Sequence, residues 1–536
     1  MPLRRLALAI SLGVATVLAL AQEPRATPAA PNLPTLGDTE REALSPAMER
    51  KLGEEIMLDM RREHDFIDDG PVLEYLNNFG TALVAASPEV RGETRFDFFF
   101  FAVRDTQLNA FALPGGFIAV HSALLLAARS ESELASVLAH EIGHVAQRHI
   151  ARMLGQQRQD FLIPLASIVL AILASRAGGD AAMGVVAAGQ GLALQRQLNF
   201  SRDAEREADR IGFQIMSEAG FDASGMVAFF GRLQAASRSY SDLTPAWLKS
   251  HPLTTERIAD IAARIRAMPY RQRADSLDFS LVQARVLVLQ DDSAQGLHNA
   301  RATFQNQLLQ HSGKQLAAAY YGLALLALKQ GAVGLAQSNL DAANNTLIEA
   351  PLRQSAASAT TAGADSSYGS AARIEEPNAI LSSMAIEIKL AASKQARSHA
   401  ESALIAQQAL QQAQAAHLQF PLSRAMAQLY AVAMLAAQHF DEAERYLRDQ
   451  VQLYRQEPKL DDLLAQAYAA QGKIALQHMA LAESYVLNGG TLTALDQLAL
   501  ARKAVDASFY DMSMIDARER QLQARRRDEI AELKAR

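Results

Sequence analysis

The sequence predicts a mainly α fold in two parts: a helical domain carrying a small β-sheet and, behind it, an α-helical solenoid. Three observations point there. Hydrophobic residues make up 49% of the chain but aromatics only 6%, so the apolar content is mostly alanine and leucine, which favours helices over sheets. One Phe-rich stretch, Phe96 to Val103, with Pro114-Gly115-Gly116 close behind it, breaks the helical pattern and reads as strand and turn. From Ser276 onward the chain is almost wholly helical in pattern and resembles itself at intervals. At 536 residues it also exceeds the roughly 250 to 300 residues at which single cores stop growing. The net charge of −6 is small for this length, and the only basic block is near the C-terminus. Nucleic acid is therefore not an expected partner.

Arg4 and Arg5 precede an uncharged, mostly apolar run from Leu6 to Leu20 that ends in Ala19-Leu20-Ala21. A charged start, an apolar middle and a small-x-small end mark an export signal cut near Ala21. An uncleaved anchor is the alternative, but the run is short for a bilayer span. The chain has no cysteine, which rules out lipoprotein attachment and disulfides. Residues 1–21 are expected as a signal peptide leading to the periplasm, and residues 22–44, rich in Pro and Ala, as a flexible leader. Ser45-Pro46 is a helix start, with the serine as N-cap and the proline at the first helical position. That helix should run through Met60, and a second should cover Val72 to Ala86. Strands are expected over Arg95 to Val103, Asn109 to Leu113 and Phe117 to Val120, the last two joined by the Pro-Gly-Gly turn. Such a sheet either holds a substrate backbone by strand addition or packs beneath the next helix.

That next helix carries His140-Glu141-Ile142-Gly143-His144. Ser130 and Glu133 form a capping box in front of it, and Leu134, Val137, Leu138 and Ile142 recur at helical spacing. Two histidines four apart project from one face and can share a Zn²⁺, with the intervening Glu141 placed to take a proton from water. Zinc chemistry of this kind needs a third protein ligand. Ser201 to Asp209 offers one: charge interleaved with alanine reads as helix, and Glu205 and Asp209 share a face. Glu207 points about 200° away from Glu205 at 100° per residue and is a poor co-ligand there. On its own such a segment is more often a solvated charged helix; beside an HExxH helix it is the leading candidate.

His140-Glu141-Ile142-Gly143-His144 followed by Glu205-Arg206-Glu207-Ala208-Asp209, with Asn109-Ala110-Phe111-Ala112-Leu113-Pro114-Gly115-Gly116 upstream, resembles the HtpX and CAAX-prenyl-protease type of zinc metallopeptidase. With an export signal in front and helical repeats behind, the likeness is to BepA-like periplasmic proteases, over about Ser45 to Tyr270. The resemblance implies one Zn²⁺ per chain held by His140, His144 and Glu205, with Glu141 as general base. It also implies that Asp209 orients a ligating histidine or donates a proton. In that subgroup a histidine in an H-P-L segment approaches the metal, which here makes His251 a candidate fourth ligand. Read from the residues alone, His64, His121, His149 and His311 fit surface or satisfied core positions.

Phe161 to Leu194 is apolar, but Pro164 and Gly178-Gly179-Asp180 interrupt it, and each run is shorter than the roughly twenty residues of a spanning helix. It reads as two helices over the cleft, acting as a lid or touching a membrane or an unfolded client; a hairpin dipping into a bilayer is the alternative. Helices over Phe213 to Leu233 and Thr254 to Met268 complete the domain. Further on, Tyr320, Leu323-Ala324, Gly331, Ala336, Leu340 and Ala343 match the spacing of a tetratricopeptide repeat, as do Leu481-Ala482, Tyr485, Gly489, Ala494, Leu498 and Ala501. Weaker copies centre on Ala400 and Ala443, at intervals longer than the usual 34 or so residues. Gln354 to Ala372 reads as an insertion or loop, and Arg518 to Arg536 as a charged cap. An irregular helical bundle is the alternative to the repeats.

The expected organisation is a zinc metallopeptidase domain at 45–270, connecting helices at 271–311 and a tetratricopeptide-like repeat domain at 312–536. The expected activity is zinc-dependent endoproteolysis. The resemblance implies protein quality control in the periplasm, acting on misfolded or stalled outer-membrane proteins, with the repeats docking at the β-barrel assembly machinery. Two other readings stand beside it: a chaperone or adaptor with a latent metal site, and a membrane-embedded HtpX-like peptidase.

Overall fold

The computed structural model describes residues 44–88, 96–156, 202–239, 247–248, 251–269, 271–361 and 377–535. The expected signal peptide, the expected leader apart from Leu44, and the apolar stretch from Phe161 to Leu194 lie outside these residues. The described residues form 20 helices and one three-stranded sheet, which is the mainly α architecture the composition predicts. None of these helices is long and apolar enough to cross a membrane.

Helix α1 (Pro46–Met60) starts where expected, with the Ser45 hydroxyl accepting from the Met48 amide at 3.3 Å. Helix α2 (Gly70–Ala86) begins two residues earlier than expected because Asp69 caps it. Strand β1 (Phe99–Val103) pairs parallel with β3 (Phe117–His121), and β2 (Ala110–Leu113) pairs antiparallel with β3, giving the order β1-β3-β2. The first strand is shorter than expected, starting at Phe99 rather than Arg95.

The run of phenylalanines in β1 follows from burial on both sheet faces, where alternation is lost. Phe100, Ala102, Ile118 and Val120 join one core with α2 and the helices beyond, while Phe101, Val103, Phe117 and Ala119 join another with Leu52, Ile56 and Met60 of α1. Between β2 and β3, Pro114–Gly116 forms a 3-10 turn in which Gly115 has φ 77°. A Cβ there would lie 2.6 Å from the Arg50 Cα, so the turn seats directly on α1.

Helix α3 (Ser122–Ala127) leads into α4 (Glu131–Ala146), in which every residue from Glu131 to Val145 is buried. A helix buried all round has no solvent face, so its polar residues must find partners inside. Helix α5 (His149–Gln156) follows after a turn at Arg148. Phe213 to Leu233 is not one helix. Helix α6 (Arg202–Glu218) ends at a turn where Gly220 has φ 75°, and α7 (Ser224–Ser239) starts afresh. Helix α8 (Thr255–Arg266) is capped by Thr254 as its sequence suggests.

Twelve further helices form the rest: α9 (Leu277–Leu289), α10 (Ala294–Gln310), α11 (Gly313–Lys329), α12 (Val333–Thr361), α13 (Ala379–Gln395), α14 (His399–Gln419), α15 (Arg424–Ala436), α16 (Phe440–Leu453), α17 (Pro458–Ala470), α18 (Ile474–Leu487), α19 (Thr491–Lys503) and α20 (Phe509–Ala535). Four of the turns are alike. A residue with positive φ (Gly331, Gln438, Gly472 or Gly489) stands in the middle of three, and the next amide reaches back five residues: Ala332 to Ala327, His439 to Met434, Lys473 to Tyr468 and Gly490 to Tyr485, at 2.7–3.0 Å. This is the Schellman stop, which closes a helix while satisfying its last carbonyls.

At fixed offsets from these turns stand Ala324, Ala431, Ala465 and Ala482, all buried, and Leu340, Leu447, Leu481 and Leu498. Small residues let paired helices approach and leucines fill the groove. The α17–α18 pair is therefore a copy that the sequence pattern did not single out, because Gln477 occupies the position held by Ala336, Ala443 and Ala494. With it included, Gln438 and Gly472 stand 34 positions apart, so the long intervals expected between copies do not hold there. Helix α18 serves two pairs at once. Helix α12 continues through Thr361 into the expected insertion.

The solenoid turns back onto α2. Glu74 of α2 accepts from the Ser423 hydroxyl at 2.8 Å and the Ala425 amide at 2.9 Å, at the start of α15. Arg285 of α9 binds Asp69 at 2.7 Å and Glu387 of α13 at 3.2 Å.

Candidate metal centre

The centre is made where α4 and α6 cross. Two glycines set how closely they can approach. A Cβ on Gly143 would lie 3.0 Å from the Ala208 carbonyl oxygen, and one on Gly212 would lie 3.0 Å from the His140 amide nitrogen. That contact brings Glu205 of α6 up to the two histidines of α4. Ser130 caps α4 as expected, its hydroxyl accepting from the Glu133 amide at 3.3 Å, while Glu133 accepts from the amide of Arg129, one residue before the N-cap, at 2.7 Å.

His140, His144, Glu205 and His251 are all buried, and one ligand atom from each falls within 4.8 Å of all the others. His144 Nε2 is 3.0 Å from His140 Nε2, and His251 Nδ1 is 3.3 Å from His140 Nε2 and 2.9 Å from Glu205 Oε1. Glu205 Oε1 lies 3.5 Å from His144 Nε2 and its Oε2 3.5 Å from His140 Nε2. Ligands at about 2.0–2.1 Å from a tetrahedral metal stand about 3.3 Å apart. Three imidazoles and a carboxylate at these separations fit one such ion, and N/O donors of this kind suit zinc among other divalent metals.

Glu141 lies beside this group and is held at both oxygens. Trp247 Nε1 donates to Oε1 at 3.2 Å and the Ala112 amide donates to Oε2 at 3.2 Å. Ala112 is on β2, the edge of the sheet, so the Ala112 amide turns away from β3 to the carboxylate. His251 Nε2 is 3.6 Å from the same Oε1, and the Trp247 and His251 rings stack with centroids 5.0 Å apart.

The ligands are gripped from behind. His140 Nδ1 lies 3.0 Å from Asp209 Oδ1. Arg257 of α8 donates to both Asp209 oxygens at 2.6 and 2.7 Å, to the Pro252 carbonyl at 2.8 Å, and pairs with Glu205 Oε2 at 2.8 Å. Burial works against the charge on Glu205, but His251 and His140 outweigh it and hold its carboxyl well below the usual range. Asp209 is lowered likewise, with burial overcome by Arg257 and His140. Burial also opposes the imidazolium of His140, and Asp209 and Glu205 more than offset it. His144 is driven the other way, by burial and then by the charges of His140 and His251. Carboxylates ionised by their surroundings are the form that binds a cation.

The structure thus brings together every site residue read from the sequence: His140, Glu141, His144, Glu205, Asp209 and His251. Of the remaining histidines, His64 and His311 are exposed and His121 is a buried core residue bonded to the Gln107 carbonyl at 3.1 Å. His149 is likewise a satisfied buried position, but it lies against one of the candidate ligands. Its Nδ1 lies 2.8 Å from His144 Nδ1, and its Nε2 lies 3.1 Å from Glu207 Oε2, which also accepts from Arg152 at 3.0 Å. Trp247, Arg257 and this His149–Glu207 pair were not foreseen. The one hint was Glu207 itself, which points away from the ligand face as the helical angle requires and so meets a different partner.

Residues 80–265 match the model of peptidase family M48. The chain is 39% identical over 255 residues to a putative beta-barrel assembly-enhancing protease of Vibrio cholerae serotype O1, covering 48% of this chain and 52% of that protein. It is 34% identical over 324 residues to the beta-barrel assembly-enhancing protease of Escherichia coli K12, covering 59% and 64%. A mitochondrial metalloendopeptidase, OMA1 of Schizosaccharomyces pombe, is 33% identical over 159 residues, or 30% of this chain and 44% of that one. The matches to the first two relatives thus span about half to five-eighths of their length. A thermophilic TPR protein of Thermus thermophilus aligns with 45% of this chain at 19% identity, but a TM-score of 0.24 is too low to bear on the fold. Through residues 80–265, this chain carries a peptidase family M48 domain.

Proposed function

We propose that the protein is a zinc-dependent endopeptidase of the periplasm that degrades misfolded or stalled outer-membrane proteins and assists their assembly. The observation that carries this reading is the convergence of His140, His144, Glu205 and His251 on one point beside Glu141. His140, His144 and Glu205 would hold one zinc ion per chain, with His251 as a fourth ligand. When bound, the zinc supplies Lewis-acid polarisation of a scissile carbonyl and lowers the pKa of water to about 7. Glu141, oriented by Trp247 and the Ala112 amide, takes a proton from the attacking water and returns it to the leaving amine. Asp209 keeps His140 turned towards the ion, with Arg257 behind it. The β2 edge, whose Ala112 amide bonds Glu141, aligns the substrate backbone by strand addition.

Four protein ligands make a closed site, and hydrolysis needs one position open. His251 is therefore the residue that has to leave before substrate is cut. Its place next to Glu141, stacked on Trp247, fits a resting state held shut. The division into a peptidase domain at 45–270, connecting helices at 271–311 and repeats at 312–536 is proposed on the same footing, as is export by the first 21 residues. The names of the Vibrio cholerae and Escherichia coli relatives support a role in β-barrel assembly, and the repeats are the part suited to docking on the assembly machinery.

The test is digestion of an unfolded outer-membrane β-barrel protein beside its folded form and an unrelated folded protein. Cleavage confined to the unfolded chain, faster with His251→Ala, supports the reading. Stable binding of the unfolded protein with no cleavage by wild type or His251→Ala would move the adaptor reading to the front.

A further inference from the structure

We infer that His149 and Glu207 form an outer relay that fixes the tautomer of His144 and sets how tightly the centre holds its metal. This rests on the metal reading above. A ligating imidazole nitrogen must present its lone pair, so with Nε2 of His144 turned to the ligand cluster the proton of the neutral ring sits on Nδ1. That Nδ1 lies 2.8 Å from His149 Nδ1. Two nitrogens at this distance share one proton. His144 donates, so His149 Nδ1 accepts, and the proton of His149 is placed on Nε2. There it meets Glu207 Oε2 at 3.1 Å, which can only accept when ionised. One neutral arrangement of protons turns both contacts into hydrogen bonds, and it is the arrangement that frees His144 Nε2 for the ion.

The relay has its own scaffold. Arg148, at φ 52°, turns the chain between α4 and α5 so that His149 comes back over His144. The Arg148 side chain is anchored on Glu49 of α1 at 3.1 Å. Arg152, one turn along α5, pins Glu207 from the other side. The two α4 ligands are thus held unequally. His140 rests directly on a carboxylate, Asp209, whereas His144 reaches its carboxylate through a second imidazole. His149 is only 2% exposed, so it is sealed into place.

The test uses the full chain stripped of metal, with zinc titrated against a chromophoric chelator and cobalt substitution read by visible absorption. His149→Ala should weaken zinc binding by about 10- to 100-fold, the usual effect of losing an outer-shell partner. His149→Asn, whose Oδ1 can stand where Nδ1 was and accept from His144, should recover most of that loss, and Glu207→Gln should fall between. Urea denaturation of the metal-free forms provides the control. The relay is refuted if His149→Ala binds zinc as tightly as wild type. It is equally refuted if Ala and Asn weaken binding alike, in proportion to a shared loss of metal-free stability, since His149 would then be a packing contact. Absence of zinc binding in every form, wild type included, would instead bring down the metal reading beneath it.

Discussion

Both halves of this molecule press helices together through small residues, and they use that closeness for opposite ends. Where α4 crosses α6, Gly143 and Gly212 admit the neighbouring backbone so that ionisable groups can meet: two histidines from one helix, a glutamate and an aspartate from the other. Between the solenoid helices, Ala324, Ala431, Ala465 and Ala482 admit a neighbour so that leucines can fill the space. The first contact gathers buried charge that must be fully paired; the second is apolar and repeats. A small residue on a helix face therefore signals close approach but not its purpose. The purpose lies in what stands beside it on the same face: His140 three residues before Gly143, and Asp209 three residues before Gly212.

That contrast can be broken most forcefully at Arg257. It is buried and pairs with both Asp209 and Glu205, so Arg257→Ala leaves two carboxylates without their cation. A loss of about 3–5 kcal/mol is expected in urea denaturation of the metal-free protein. A loss under about 1 kcal/mol would mean that water, not pairing, supports the cluster. In the solenoid, Leu498 is buried at the groove position. Leu498→Ala should cost about 2–5 kcal/mol through the cavity left behind, while zinc content, read by elemental analysis, stays at the wild-type value. The smallest effect is expected at Gln438, the non-glycine member of the four Schellman turns, with φ 63°. Gln438→Gly relieves about 1–2 kcal/mol of left-handed strain, partly offset by about 0.4–1 kcal/mol from a freer unfolded chain. A rise in midpoint corresponding to about 1 kcal/mol or less is the expected reading in a denaturant titration.

The centre was legible wherever its logic is local. His140, Glu141 and His144 follow from a four-residue step on a capped helix, and Glu205 with Asp209 from the same step on another. The residues behind the candidate ligands were not legible, for a physical reason. His149 reaches His144 only because Arg148 adopts a left-handed conformation that nothing in its own side chain announces and that contacts with α1 maintain. Trp247 and Arg257 arrive from segments more than a hundred residues from α4, and proximity across such a gap leaves no periodic trace. The repeats show a similar limit. Pairs with alanine after the turn were visible, while the α17–α18 pair, with Gln477 there, became visible only through its backbone.

Glu141 is the proposed proton carrier, in a centre proposed to bind its metal without it. The most direct measurement is zinc content together with cleavage of an unfolded protein, for wild type and Glu141→Gln side by side. Wild type should carry one zinc and cut; Glu141→Gln should carry the same zinc and cut about 10²- to 10⁴-fold more slowly. Equal cleavage by the two, or loss of zinc with Glu141→Gln, would contradict it.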